Sequence, residues 1–335
     1  MLMRAMVLER ARPIEQAPLR LVDLPAPTPL PGAVRVRIHC CGLCHTDLHT
    51  VEGDLLLPTL PVVPGHQIVG LIDAIGANVR TLKVGDRVGI PWLYSTDGTC
   101  RYCLSHAENL CEHAQFTGYH ANGGYAEFCV VGEDFAHPIP AAFSDENAAP
   151  LLCAGVIGYR SYRLSGARKG QRLGLYGFGA SAHLVLQLAR YEGCEVYVFT
   201  RGRAHRELAA TLGAAWVGSA DEAPPHPLDA SILFAPAGTL VPLALRHLRK
   251  AGTLALAGIT MTQIPPLDYD LLYHERILRS VANSTRDDCR EFLALAAKIR
   301  IKTAIQVYPL VEANRALDDL KHSRLEAAGV LRMAS

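Results

Sequence analysis

The segment RLGLYGFGASAHLVLQLARYEG constrains the fold of this chain more than any other stretch. Gly177, Gly179 and Ala182 have the spacing G-x-G-x-x-(G/A), directly after an apolar strand and at the start of an amphipathic helix. Gly177 permits a tight turn, Gly179 lets a pyrophosphate approach the backbone, and Ala182 keeps helix and sheet close. The pattern predicts a strand–turn–helix unit that binds a dinucleotide, the alternative being a simple glycine turn.

The rest of the chain divides into two patterns. From residue 170, apolar strand candidates alternate with helix-length segments, at 172–176, 195–200, 214–218, 229–234, 252–257 and 277–282. Such strands fit a doubly wound parallel sheet. Before residue 140, short β-like runs between Pro/Gly turns predict a small antiparallel barrel or sandwich. We expect the segment after 282 to return to that first domain, so that residues 1–153 and 283–335 form one discontinuous domain and residues 154–282 the other.

The end of the second apolar strand, EVYVFTRGR, predicts the choice of cofactor. An acidic residue there would bind the ribose 2′-hydroxyl of NAD(H), but this chain has Thr200 followed by Arg201 and Arg203. Guanidinium groups bind phosphate well, so the segment favours NADP(H) over NAD(H). The alternative is that both arginines are merely solvated.

Charge and composition exclude several classes of protein. The 335 residues carry 33 basic and 32 acidic side chains, and half of them are hydrophobic, which excludes disorder and gives no support to nucleic-acid binding. The uncharged stretches 230–245 and 251–267 contain prolines and are read as buried core, without a membrane segment. The N-terminus lacks a secretory signal pattern, so we expect a cytoplasmic protein, in which ten cysteines bind metal or do chemistry more often than they form disulfides.

Three of these cysteines stand close together in a C-x2-C-x7-C pattern, with an aspartate three residues before the first. We call residues 97–111 the cysteine lobe. Soft and anionic ligands at this spacing suit tetrahedral zinc in a closed, structural site. The alternative is a surface loop with reduced thiols, and the aspartate is the weakest of the four candidate ligands. The four residues are Asp97, Cys100, Cys103 and Cys111.

Cys44, His66 and Cys153 form a second, dispersed set of candidate ligands. Spacing alone cannot show that they are adjacent, and each taken singly is more often a packed cysteine or a core histidine.

Gly65, His66, Gly70 and Gly76, with Val79, resemble the G-H-E-x2-G-x5-G-x2-V signature of zinc-dependent alcohol dehydrogenases in the medium-chain dehydrogenase/reductase superfamily. The C-H-T-D-L-H segment, the cysteine lobe, the L-L-C-A-G motif and the G-F-G-A-S-A turn follow in the family's order. The resemblance implies a GroES-like catalytic domain followed by a Rossmann domain, with the active site in the cleft between them. It also implies an NAD(P)-dependent enzyme that interconverts alcohols and aldehydes or ketones by hydride transfer.

The same resemblance assigns the metal ligands. Cys44, His66 and Cys153 match the ligands of a catalytic zinc, which leaves a fourth position for water or substrate oxygen. The four lobe residues match the ligands of a structural zinc. Cofactors implied by the resemblance are therefore Zn²⁺ at both sites and a nicotinamide dinucleotide.

The segment after Cys44 carries further implied roles. Thr46 matches the hydroxyl that relays the alcohol proton, and His49 matches the imidazole that passes it to solvent. Asp47 resembles the carboxylate that orients His66, and His45 matches a residue that contacts the coenzyme pyrophosphate. The alternative for each is an ordinary polar residue of a loop.

Two residues depart from the family's pattern, and two others resemble residues of its substrate pocket. Gln67 stands where the family has a glutamate behind the metal, so we expect altered ligand exchange with the metal retained; the other departure is Asp97 in place of a lobe cysteine. Trp92 and Leu93 resemble the pocket wall of microbial members that accept short primary alcohols and aldehydes, with plain core packing as the alternative.

Competing interpretations stay open. A zinc-free quinone or enoyl reductase of the same superfamily would share the fold but lack the ligands, and a zinc-binding homologue with impaired catalysis would keep both. A non-catalytic zinc-ribbon protein would use the lobe alone. Family resemblance suggests a homodimer or homotetramer, with strand 277–282 as a subunit contact.

Overall fold

The structure, a computed structural model, describes residues 1–55, 58–325 and 328–333. Its contacts group the chain into two compact units. The first unit is Met1–Cys153, Asn283–Ala297 and Lys302–Ser335, and the second unit is Ala154–Ala282 and Lys298–Ile301. Among the described residues, no helix combines the length and the apolar character needed to cross a bilayer.

The N-terminal part of the first unit contains short strands and three α-helices in its described residues. They are β1 (Leu2–Leu8), β2 (Leu19–Pro25), β3 (Ala33–Gly42), α1 (His45–Glu52), β4 (Ile68–Ile75), β5 (Arg87–Ile90), β6 (Leu93–Ser95), α2 (Arg101–Leu104), β7 (Gln115–Phe116), β8 (Phe128–Gly132), β9 (His137–Pro138) and α3 (Asp145–Ala148).

The second unit alternates helices and strands. They are α4 (Ala154–Ser165), β10 (Arg172–Tyr176), α5 (Ala180–Tyr191), β11 (Glu195–Phe199), α6 (Arg203–Thr211), β12 (Trp216–Gly218), β13 (Leu228–Leu233), α7 (Leu240–His247), β14 (Leu248–Leu256) and β15 (Ile277–Ser280). The C-terminal elements are α8 (Arg286–Ile299), β16 (Ile305–Pro309), α9 (Ala313–Lys321) and β17 (Ala328–Arg332).

Strand β3 lies in the middle of the main sheet of the first unit. Its sequence AVRVRIHCCG alternates, so that Val34, Val36 and Ile38 are buried in the core while Arg35 and Arg37 point the other way. The sheet order is β16-β17-β3-β4-β5-β9, with β8 also paired to β3, and among the described strands of this sheet only the β16–β17 pair is parallel. Strand β17 pairs antiparallel with β3, which joins the C-terminal segment to this sheet.

The second unit confirms the predicted doubly wound sheet. Its strands are all parallel, in the order β12-β11-β10-β13-β14-β15. Leu173, Val198 and Ile232 are fully buried, as expected for strands covered on both faces. The strand order reverses between β10 and β13, and ligands of such sheets bind at this switch point, beyond the carboxyl ends of the strands.

Candidate active site and metal centres

Cys44 is held at the start of helix α1 by a capping arrangement within the C-H-T-D segment. The Cys44 sulfur accepts the Thr46 amide N–H at 3.5 Å, and the Asp47 carboxylate reaches back to accept the Cys44 amide N–H at 2.8 Å. Reciprocal bonds of this kind satisfy N–H groups that the first helical turn leaves free. The local sequence that starts the helix therefore also fixes the position of the Cys44 thiol.

His66 and Cys153 complete a cluster with Cys44. His66 is 1% exposed, and its Nδ1 lies 2.8 Å from an Asp47 oxygen while its Nε2 lies 3.3 Å from the Cys153 sulfur. The two sulfurs are 3.7 Å apart, and the three ligand atoms lie within 4.8 Å of one another. Two sulfurs and one imidazole nitrogen at this spacing fit zinc with one coordination position left open. Asp47 orients the imidazole so that Nε2 faces the metal position.

The members of this cluster change one another's proton affinities. A hydrogen bond with Cys153 lowers the pKa of Cys44 well below its usual value, and the same bond raises the pKa of Cys153. Burial alone lowers the pKa of His66, but the Asp47 carboxylate and the Cys44 sulfur outweigh it and raise the pKa to about 10. Zinc ligation needs the thiolates and the neutral imidazole, so metal uptake by these residues releases protons.

The cysteine lobe forms a second cluster. One Asp97 oxygen accepts the amide N–H groups of Thr99 and Cys100 at 2.9 Å each, and these bonds lower the pKa of Asp97, which keeps it ionised. The Cys100 and Cys103 sulfurs are 3.6 Å apart. Three sulfurs and a carboxylate fit a closed zinc site. The ligand atoms that lie within 4.8 Å of one another belong to Asp97, Cys100, Cys103 and Cys111.

An ion pair that sequence reasoning missed attaches the lobe to helix α8. Glu108 accepts hydrogen bonds from the amide and the guanidinium of Arg286 at 2.5 to 3.0 Å, and the Arg286 guanidinium also lies over the Phe135 ring. His137 is buried nearby, where burial and the charges of Arg290 and Arg286 lower its pKa to about 4. Glu108 and Arg286 are 178 positions apart in the sequence, which explains why no local signal indicates the pair.

The glycine turn after β10 has the features that a dinucleotide needs. Gly177 has φ +85°, and a Cβ there would lie 2.9 Å from the Ala235 nitrogen. A Cβ on Gly179, the residue before helix α5, would meet no atom within 4 Å, so the space beside this backbone is open. Ala182 is fully buried. The turn can therefore hold a pyrophosphate at the N-terminus of α5.

The arginines after β11 are in different environments. Thr200 is buried at the strand end, and Arg201 is exposed without an acidic partner among the described residues. Arg203 is paired with Glu207 at 2.7 Å. Arg206, which the sequence analysis did not select, donates from Nε to the Thr200 carbonyl oxygen at 3.0 Å. Its spacing of one helical turn from Arg203 is the signal that could have found it.

The remaining residues of the C-H-T-D-L-H segment lie on helix α1. Thr46 is buried and its hydroxyl is 3.6 Å from the Cys44 sulfur, whereas His45 is exposed. His49 is partly exposed and its Nδ1 lies 2.8 Å from the carboxylate of Asp54. Asp54 is a further partner that the sequence analysis did not name.

A cluster of aromatic side chains contacts His66 through Trp92. The edge of Trp92 meets the His66 ring with centroids 4.8 Å apart, and Phe116 stacks on Trp92 at 5.1 Å. Tyr119 lies against Trp92, and His120 contacts both Tyr119 and Phe116. The structure thus places Trp92 beside the metal cluster, together with three aromatic neighbours that the sequence analysis did not name.

Leu93 and Gln67 lie in packed environments. Leu93 is 3% exposed within the hydrophobic core of the first unit, which supports the packing alternative for this residue. Gln67 is buried, and its amide oxygen would lie 2.9 Å from a Cβ on Gly42. The Gln67 side chain therefore packs over the Gly42 backbone.

Comparison with known proteins identifies the family. Residues 30–141 match the alcohol dehydrogenase GroES-like domain, and residues 182–298 match the zinc-binding dehydrogenase family. Over 335 residues the chain is 48% identical to a Mycobacterium tuberculosis protein named probable alcohol dehydrogenase AdhA, covering 98% of this chain and 97% of the other. The chain belongs to the zinc-binding alcohol dehydrogenases. This confirms the resemblance inferred from the sequence, and with it the GroES-like and Rossmann fold assignment.

Other alcohol dehydrogenases are similar along nearly the full length. An alcohol dehydrogenase of Geobacillus stearothermophilus is 37% identical, covering 99% of this chain and 100% of its own. The solved structure of a cobalt- and zinc-bound thermostable alcohol dehydrogenase from Pyrobaculum aerophilum matches with a TM-score of 0.89 and 26% identity, covering 99% and 100% of the two chains.

Proposed function

We propose that this zinc-binding dehydrogenase interconverts alcohols and aldehydes or ketones by hydride transfer with a nicotinamide cofactor, and that short primary alcohols and aldehydes are its substrates. The observation that carries the proposal is the Cys44–His66–Cys153 cluster, whose imidazole is oriented by Asp47. The open turn at Gly179 supports a dinucleotide as the second reactant. Trp92, beside His66, supports a short substrate because its bulk limits the space next to the metal position.

Residues of the first unit have two roles in the proposed reaction, metal binding and proton transfer. Cys44, His66 and Cys153 would hold zinc, which supplies a Lewis acid that lowers the pKa of an alcohol, while the nicotinamide supplies the hydride acceptor. The Thr46 hydroxyl, 3.6 Å from the Cys44 sulfur, is placed to accept the alcohol proton. His49, one turn further along α1, can pass a proton to solvent from its partly exposed ring while Asp54 holds its Nδ1.

Metal analysis and turnover test this function together. The purified protein should contain zinc and oxidise short primary alcohols, or reduce the matching aldehydes. Cys44→Ser should remove a ligand and lower turnover by more than about 100-fold, the upper range for loss of an outer partner of a metal ligand. The control Cys129→Ser changes a buried thiol of β8 outside both clusters and should keep zinc and turnover. A metal-free protein that reduces quinones or enoyl substrates would contradict the proposal.

We infer that NADP(H) is the preferred cofactor. The strand end lacks an acid for the ribose 2′-hydroxyl, and Arg201 is exposed there without an acidic partner in the described part of the chain. Arg201→Ala should raise the KM for NADPH by about 10-fold or more, the effect of losing a charge-assisted hydrogen bond, with little change for NADH. Arg246→Ala, an exposed arginine on α7, is the control. The inference would be refuted if the unaltered enzyme had a lower KM for NADH than for NADPH.

We also propose a cytoplasmic homodimer or homotetramer that associates through β15. This strand is at the edge of the parallel sheet, and Ile277, Tyr269 and Tyr273 on or near it are at least half exposed. Light scattering after size exclusion tests the assembly: Ile277→Glu should weaken it, and a monomer in the unaltered protein would contradict it.

A further inference from the structure

Tyr125 is buried beside the zinc cluster and has no role in the mechanism described so far. Its amide donates to the Pro64 carbonyl at 2.9 Å, and its own carbonyl accepts from Met6 at 2.8 Å. The side chain is fully buried in the first unit. The first bond therefore holds this tyrosine against the segment that leads into His66, and the second joins it to strand β1.

The Tyr125 ring packs directly on the residue before His66. Gly65 has φ +99°, and a Cβ on it would lie 2.4 and 2.8 Å from the Tyr125 Cδ1 and Cε1 atoms. The amide of Gly124 donates to the Gly65 carbonyl at 2.9 Å. The ring thus takes the space that any side chain at position 65 would need, and it supports the backbone that carries His66.

The hydroxyl of Tyr125 is the unusual part of this arrangement. It is buried and makes no hydrogen bond within the described part of the chain. Burial raises its pKa well above the usual value, and the neighbouring charges of Asp47, Cys41 and Cys44 raise it further. A buried hydroxyl without a partner is unfavourable, and phenylalanine would fill the same space without that penalty.

Asp47 can accept the bond that this hydroxyl lacks. The Asp47 carboxylate has one oxygen on His66 Nδ1 and the other on the Cys44 amide, each at 2.8 Å. An ionised carboxylate has about four acceptor positions, so two remain. Asp47 is 2% exposed, so these positions are shielded from solvent.

We propose that Tyr125 is a positioning residue whose hydroxyl donates a third hydrogen bond to Asp47 when zinc is bound, and so holds His66 in its ligating orientation. The inference rests on the proposed function, because it requires zinc on the Cys44–His66–Cys153 cluster. Of the charges around the Tyr125 hydroxyl, that of Asp47 raises its pKa most, which places the two side chains within reach of each other. It also gives a reason for tyrosine, and not phenylalanine, at this position.

The test is zinc release from the full-length, zinc-loaded protein into a colorimetric chelator. Tyr125→Phe keeps the ring on Gly65 and should speed release of the catalytic zinc about 10-fold, the lower range for loss of an outer partner of a metal ligand. The phase of zinc release that has the same rate as the loss of turnover is assigned to the catalytic zinc. Tyr162→Phe, a buried tyrosine of the second unit with its hydroxyl on Cys194, is the control and should release zinc at the unaltered rate.

A double-mutant cycle separates positioning from general stability. In an Asp47→Asn background, Tyr125→Phe should cause little additional acceleration, because the acceptor charge has already been removed. An unchanged release rate in Tyr125→Phe alone, or an equal acceleration in both backgrounds, would overturn the inference while leaving the proposed function intact. Absence of zinc from the unaltered protein would overturn both.

Discussion

Replacing Gly65 by alanine should destabilise the first unit and displace a zinc ligand at the same time. Gly65 has φ +99°, and its added Cβ would lie 2.4 Å from the Tyr125 ring and 2.9 Å from the Cys41 sulfur. A non-glycine residue in left-handed backbone costs roughly 1–2 kcal/mol. Overpacking a tight core costs roughly another 1–3 kcal/mol. We therefore expect Gly65→Ala to lower the free energy of unfolding by about 3 kcal/mol.

Gly85 provides the matched control for this substitution. It has φ +91°, but a Cβ there would meet no atom within 4 Å. Gly85→Ala should therefore show only the backbone strain of about 1 kcal/mol, and it should retain zinc. Denaturant unfolding gives the free energies, and elemental analysis gives the zinc content. Equal destabilisation by the two substitutions, or full catalytic zinc in Gly65→Ala, would refute the packing argument.

Four further substitutions test other parts of the first unit. Asp97→Asn keeps an oxygen for the lobe turn but removes the charged ligand, so elemental analysis should find one zinc fewer per chain; unchanged zinc content would show that Asp97 is no ligand. Asp54→Ala should reduce turnover less than about 5-fold, because the Asp54 carboxylate is 54% exposed and exposed ion pairs like His49–Asp54 contribute less than about 1 kcal/mol. His49→Gln should slow turnover below neutral pH, and added buffer should partly restore it. An unchanged pH profile of His49→Gln would contradict the relay. The pKa of His137 is lowered from 6.5 to about 4, so the folded chain binds fewer protons there than the unfolded chain, and stability should fall as the pH drops from 6.5 to 4. His137→Gln should make that fall shallower by up to about 3 kcal/mol in unfolding experiments; identical slopes would contradict the assignment.

Local patterns were sufficient to predict the parallel sheet. Strand β10 begins and ends where the apolar run predicts, because both the run and the glycine turn after it are contiguous in sequence. Strand β14 begins at Leu248, four residues before the predicted start at 252. Its first residues include Ala251 with φ +58°, and the ladder to β13 is irregular between Leu228 and Ala230. A polar, glycine-containing stretch of this kind has the sequence of a turn, so no local signal indicated a strand.

The site was predictable to different degrees. The lobe ligands are close in sequence, so their spacing alone indicated a metal. Cys44 and Cys153 are 109 residues apart, and only the family resemblance placed them together before the structure did. Tyr125 had no signal at all, since its importance depends on the ring contact with Gly65, 60 residues earlier in the chain.

Asp47 connects the local and the long-range parts of the active site. One of its oxygens accepts the Cys44 amide, which starts helix α1, and the other holds His66 Nδ1. A helix cap contributes about 1 kcal/mol, and it needs no metal. The contact with His66, in contrast, fixes which ring nitrogen faces the metal position, and so affects metal retention. One carboxylate thus makes helix formation and zinc geometry depend on the same side chain. Burial raises the pKa of Asp47, while the imidazole of His66 and the amide of Cys44 lower it. A hydrogen bond from the buried hydroxyl of Tyr125 would stabilise the charged form further.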